Sequence, residues 1–99
     1  MRITKKLRER TKSFSSSVIR LYMALPRERI EVAVIGKQLL RSATSVAAHT
    51  REASRARSDT EFYSKLDVLL QEADESTLWL EHLQQDCGII ASQTEPIHQ

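Results

Sequence analysis

The stretch AAHTREASRARSD, residues 47–59, sets Arg51, Arg55 and Arg57 against one early acid, Glu52, before Asp59 closes it. Arg41 stands just upstream. A second basic run opens the chain. RITKKLRERTK puts six Lys/Arg in the first twelve residues, among them Lys5, Lys6, Arg8 and Arg10. Such clusters suit the phosphate backbone of RNA or DNA, because each cation that neutralises a phosphate releases condensed counterions. The competing reading is a solvated, frayed helix start for the first run and a clamp on acidic neighbours for the second. Aromatic residues number only five, so base stacking has little to work with. Any nucleic-acid contact should be backbone-directed and sensitive to salt.

Other chemistries find less support. A metal centre needs several ligands at suitable spacing. His49, His82, His98 and Cys87 form no HxxxH or CxxC pair, and neither His49 nor His82 has a Glu three residues before it, so His49 is expected as a core or interface histidine. Asp67, Asp74 and Glu81 repeat at seven along one edge of a helix. Acid–base work would also need a cleft and an orienting partner, so a solvated edge, or one facing basic helices, is expected. Ser42, Thr44 and Ser45 have no base or orienter at hand for nucleophilic chemistry. No catalytic residue, metal or cofactor is implied, and the expectation is a protein that is not an enzyme.

Ninety-nine residues make one domain at most. The net charge of +2 conceals a strong polarity. Residues 1–57 hold fourteen Lys/Arg and four Asp/Glu, whereas residues 58–99 hold one and nine. Such halves can attract each other within the chain or between copies. The single Cys87 excludes an internal disulfide and fits a reducing compartment. The basic N-terminus lacks the apolar region of a secretory signal. No apolar run approaches the roughly 20 residues needed to span a bilayer. A cytoplasmic protein without membrane contact is expected.

Three helices must position these groups. The first is predicted over about 3–25, with Leu7, Phe14 and Leu21 at spacing seven and Thr11, Val18 and Leu25 between them. Pro26 stops it. The second is predicted over about 29–55, on a stripe of Val32, Ile35, Leu39, Ser42, Val46, His49 and Ala53. Its small-residue centre, SATSVAA, and Gly36 suit close helix crossings. The third is predicted over about 59–87. Ser58 and Glu61 form a capping-box pattern, and Gly88 supplies a stop. Its stripe is Phe62, Leu66, Leu69, Ala73, Ser76, Leu80, Leu83 and Cys87.

A short turn near Arg57 makes the second and third helices antiparallel, with partners whose numbers sum to about 115. Ala53 then meets Phe62, Val46 meets Leu69, and Arg41 falls level with Glu72 and Glu75. That trio reads as an ion pair that fixes register. The alternative is a polar site inside an oligomer channel. If the helices run up, down and up, the basic N-terminus shares one end with Arg51, Arg55 and Arg57. Fold class is thus an all-α, up-and-down antiparallel bundle over 1–90, followed by a tail over 91–99 with Ile89 and Ile90 against the bundle end.

The run GKQLLRSATSVAAHTREASRARSDTEFYSKLDVLLQEADESTLWLEHLQ, with VIRLYMALP upstream, resembles the bacterial four-helix-bundle family of 23S rRNA intervening-sequence proteins. The resemblance spans about residues 14 to 90. Its most specific part is QLLRSATSVAA, the Arg-rich turn and EADES in that order. It implies a small helical subunit that assembles as a homopentamer, with no established enzymatic activity. Some members are encoded within insertions in the large ribosomal RNA gene. Similar proteins serve diversity-generating retroelements, where a basic pentameric barrel binds a reverse transcriptase and nucleic acid. Two departures stand out. His49 occupies a position that is commonly Asn. After Gly88-Ile89-Ile90, where the family continues into a fourth helix, this sequence turns polar. A fourth helix is expected to be absent or very short, or replaced by a neighbouring subunit.

Overall fold

The computed structural model describes residues 3–89. It contains three α-helices, α1 (Lys5–Ala24), α2 (Ile30–Ser54) and α3 (Asp59–Glu81), and a π-turn, His82–Asp86, that continues α3. No strand occurs among the described residues. The expected three helices are present. The third departs from expectation, because its α-helical part ends at Glu81 and the last turn widens to π. The tail expected over 91–99, Ile90, and any fourth helix there lie outside the described residues.

Local chemistry explains the boundaries. Thr4 caps α1, its hydroxyl accepting from the Leu7 N–H at 3.1 Å. Leu25 turns to extended backbone before Pro26, as the proline ring requires. Ser58 caps α3 by accepting from the Glu61 N–H at 3.1 Å. Glu61 reaches back to the Arg57 N–H at 3.2 Å, one residue beyond the usual capping-box partner. At the far end Gly88 takes φ +74°, the left-handed conformation that favours glycine. The Ile89 N–H then closes onto the Leu83 carbonyl at 2.9 Å. That loop is one residue wider than the usual helix-end closure, in keeping with the π-turn.

Helix α2 is central and packs against both α1 and α3. Contacts between α2 and α3 run antiparallel: Glu52 meets Lys65 and Ser42 meets Ser76, and beyond the helix ends Arg29, the cap of α2, meets Cys87. Two apolar clusters lie under the ends. Ile3, Ala53 and Phe62 form the smaller one, which ties the start of the chain to the α2–α3 turn. Val18, Leu21, Leu25, Val32, Leu39, Leu80 and Leu83 anchor the larger. α1 therefore begins beside the C-terminal end of α2.

Two stripe residues differ from expectation. Leu7 is 39% exposed, because Ile3 rather than Leu7 packs against Ala53 and Phe62 at that end. On α2 the buried residue is Thr50, at 0% exposure, and His49 is only half-buried. Thr50 is small, and its hydroxyl donates to the Val46 carbonyl at 2.7 Å, so it enters the seam with its polar group satisfied. The larger imidazole sits at the edge.

Candidate functional site

Helical spacing explains how the basic residues sort. Lys5, Arg8 and Lys12 lie at i, i+3 and i+7, which places them on one face of α1. Arg51 and Arg55 lie at i and i+4 on α2. The packing of the two helices turns these faces toward one another. Together with Glu9 and Ser54 they line an open groove of about 530 Å³. Five cations thus face one acid within a single concavity.

Not every basic residue singled out from the sequence lies there. Lys6 and Arg10 are exposed on α1 outside the groove lining. Arg57 lies in the α2–α3 turn, also outside the lining. Lys12, Glu9 and Ser54 were not singled out. The i, i+3, i+7 spacing groups Lys12 with Lys5 and Arg8, but it does not say which face of α1 meets α2.

The groove has electrostatic order. Lys5 Nζ and Glu9 Oε1 stand 4.0 Å apart as an exposed i, i+4 pair. Such a pair is weak, so Lys5 can exchange Glu9 for a stronger anion at little cost. Arg51 also stands in the last turn of α2, where a cation complements the helix dipole.

Arg41 is committed elsewhere. Its guanidinium forks between Glu72 Oε2 at 3.2 Å and Glu75 Oε1 at 3.1 Å, and its Nε donates to Gln38 at 3.3 Å. The fork bridges α2 and α3 at the level predicted from the hairpin register. It is half exposed rather than enclosed in a seam. His49 Nδ1–H donates to the Ser45 carbonyl at 2.8 Å, and Nε2 lies 3.5 Å from Glu52 Oε2. Lys65 reaches the other oxygen of Glu52 at 3.6 Å. Asp67, Asp74 and Glu81 are exposed.

Two of the hydroxyls considered for nucleophilic chemistry, Ser42 and Thr44, are engaged in hydrogen bonds of the bundle. Thr44 donates to the Leu40 carbonyl at 2.8 Å, and Ser42 pairs with Ser76 at 2.8 Å. Arg29, which sequence reasoning missed, donates from Nη1 to the Cys87 carbonyl at 2.9 Å and pairs with Glu31 at 2.8 Å. Burial pushes the Cys87 thiol above its ordinary value, with Arg29 pulling the other way. No helix among the described residues is long and apolar enough to cross a membrane.

The sequence profile of the 23S rRNA-intervening sequence proteins matches residues 5–98. The chain belongs to that family. The 23S rRNA-intervening sequence fold is also seen in the crystal structure of a protein of unknown function, from the S23 ribosomal protein family of Bacteroides thetaiotaomicron VPI-5482. That protein is similar to this one at 39% identity and a TM-score of 0.79, over 91% of this chain and 80% of that one. No curated protein matches the chain.

Proposed function

We propose that this protein is a non-enzymatic, self-associating helical scaffold that holds the phosphate backbone of RNA or DNA in the groove between α1 and α2. The observation that carries this reading is the convergence of Lys5, Arg8 and Lys12 with Arg51 and Arg55 against Glu9 alone. Cations from two packed helices are held in place by the fold, so they lose less freedom on binding than a disordered arm. Counterion release then supplies affinity without base recognition. A pentamer, which the family resemblance implies, would gather several such grooves and multiply weak binding by avidity. The single Cys87 fits a reducing, cytoplasmic setting.

The test is a salt series with a generic RNA and a duplex DNA. Retained complexes at low salt, lost as salt rises and abolished by Arg51→Glu with Arg55→Glu, support the reading.

A second reading rests on α3. Tyr63, Leu70 and Leu78 are 61%, 56% and 43% exposed, and Asp67, Asp74 and Glu81 are exposed on the same helix. An apolar and acidic surface of this kind suits a basic protein surface, including the basic end of another copy. On that reading the protein is an assembly module with no nucleic-acid role. Absence of binding at low salt, with oligomer mass lost on the same charge reversal, would decide for it.

A further inference from the structure

We infer that the groove grips one strand of nucleic acid by a few consecutive phosphates and reads no bases, an inference that rests on the nucleic-acid reading above. The dimensions carry it. Lys5 to Lys12 spans seven residues of α1, about 10 Å at 1.5 Å per residue. At about 3.4 Å of rise per nucleotide of one strand, that length faces about three phosphates. The opposing row, Arg51 and Arg55, spans about 6 Å on α2. Packed helix axes lie about 8–10 Å apart. The groove holds about 530 Å³, too little for the body of a duplex whose major groove alone is about 12 Å wide, so one strand enters between the two cationic rows.

The lining explains the lack of base recognition. It contains no aromatic side chain, so nothing offers a stacking platform. Ser54 is its one uncharged polar residue, and its hydroxyl already donates to the Arg51 carbonyl at 2.7 Å. The Ser54 hydroxyl therefore has no proton left to donate to a base acceptor. Glu9 in the lining opposes an anion and should limit affinity.

The test uses the full chain with short oligo-dT, oligo-U and a blunt DNA duplex across a salt series. Both single strands should bind more tightly than the duplex and about equally to each other. Lys5→Gln, Lys12→Gln, Arg51→Gln and Arg55→Gln should each flatten the plot of log affinity against log salt by about 0.7. Lys6→Gln, Arg10→Gln and Arg57→Gln should leave that slope unchanged, and Glu9→Gln should tighten binding. Circular dichroism of each variant confirms that it is folded. Equal slopes lost inside and outside the groove would overturn the groove assignment while nucleic-acid binding stands. A duplex preferred over both single strands would overturn the one-strand geometry alone. Binding of polyglutamate as tight as that of oligo-dT would point to an acidic protein partner and overturn it. Failure of every nucleic acid to bind at low salt would remove this inference together with the reading beneath it.

Discussion

The Ser42 hydroxyl lies 2.8 Å from the Ser76 hydroxyl across a seam where both side chains are buried. Ser42 Oγ is also 3.2 Å from the Leu39 carbonyl, and Ser76 Oγ is 2.9 Å from the Glu72 carbonyl. Three contacts share two protons. The shorter carbonyl contact favours Ser42 donating to Ser76, which in turn donates to Glu72. Either serine, left alone, still has a backbone acceptor. Ser42→Ala and Ser76→Ala should therefore cost about 0.5–1.5 kcal/mol each, and the double variant less than their sum. Ser42→Leu should cost more, about 1–3 kcal/mol, because the crossing has no room for it. Urea unfolding measures all four. Equal losses from Ala and Leu would show that packing at this crossing is loose.

Gly36 marks the corresponding close approach between α2 and α1. A Cβ built there would stand 2.9 Å from Leu25 Cδ1 and 3.2 Å from Tyr22 Cδ1. The first neighbour is the tip of a flexible side chain, so it can give way. Gly36→Ala gains about 1 kcal/mol of helix propensity, which should roughly offset the displaced contact. Gly36→Leu cannot be accommodated by a tip movement and should destabilise by about 1–3 kcal/mol. Thermal unfolding of both variants checks the contrast.

Helix limits were legible because their determinants are local. Pro26, Ser58 and Gly88 act within a turn of themselves; the Thr4 cap was missed, and α1 starts two residues later than expected. The hairpin register was legible to within one turn, because two independent stripes had to match: Arg41 meets Glu72 and Glu75, whereas Ser76 meets Ser42, three residues beyond the expected sum of 115. Position 49 against 50 was not legible. A spacing that alternates three and four admits either, and the choice depends on how much volume α3 leaves beside Val46. The groove was legible as an end of the molecule, not as a set of residues. Only the rotation of α1 about its axis separates Lys5, Arg8 and Lys12 from Lys6 and Arg10. Arg29 was invisible for a related reason: its partner, the Cys87 carbonyl, is far along the chain and is exposed to it by the π-turn.

The Arg41 fork sits in solvent on one side and against half-buried Glu72 on the other. Its guanidinium is about half exposed. Solvent and salt screen such a pair, so Arg41→Met should cost only about 0.5–1 kcal/mol at physiological salt and somewhat more at low salt. Glu72→Gln in the Arg41→Met background should recover part of that loss, because it removes the carboxylate left without its partner. A double-mutant cycle by urea unfolding measures it. A loss unchanged by salt would assign the effect to packing of the arginine stem.

Burial of Cys87 predicts an alkaline sensitivity that Arg29 moderates. The Cys87 side chain is 5% exposed, and burial raises its thiol above the ordinary value. The unfolded chain loses this proton near pH 8.5, whereas the folded chain holds it to higher pH. Between those values the unfolded state binds fewer protons, so stability falls as pH rises. Below the ordinary thiol value the contribution is complete. Cys87→Ala should flatten this alkaline decline. Arg29→Met should steepen it, because removing the guanidinium takes away the one cation that favours the thiolate. The same variant holds less thiolate at a given pH, so alkylation of the thiol in the native state should slow. Urea midpoints between pH 7 and 10, with alkylation rates at each pH, check both effects. An alkaline decline that survives Cys87→Ala would assign it to other groups.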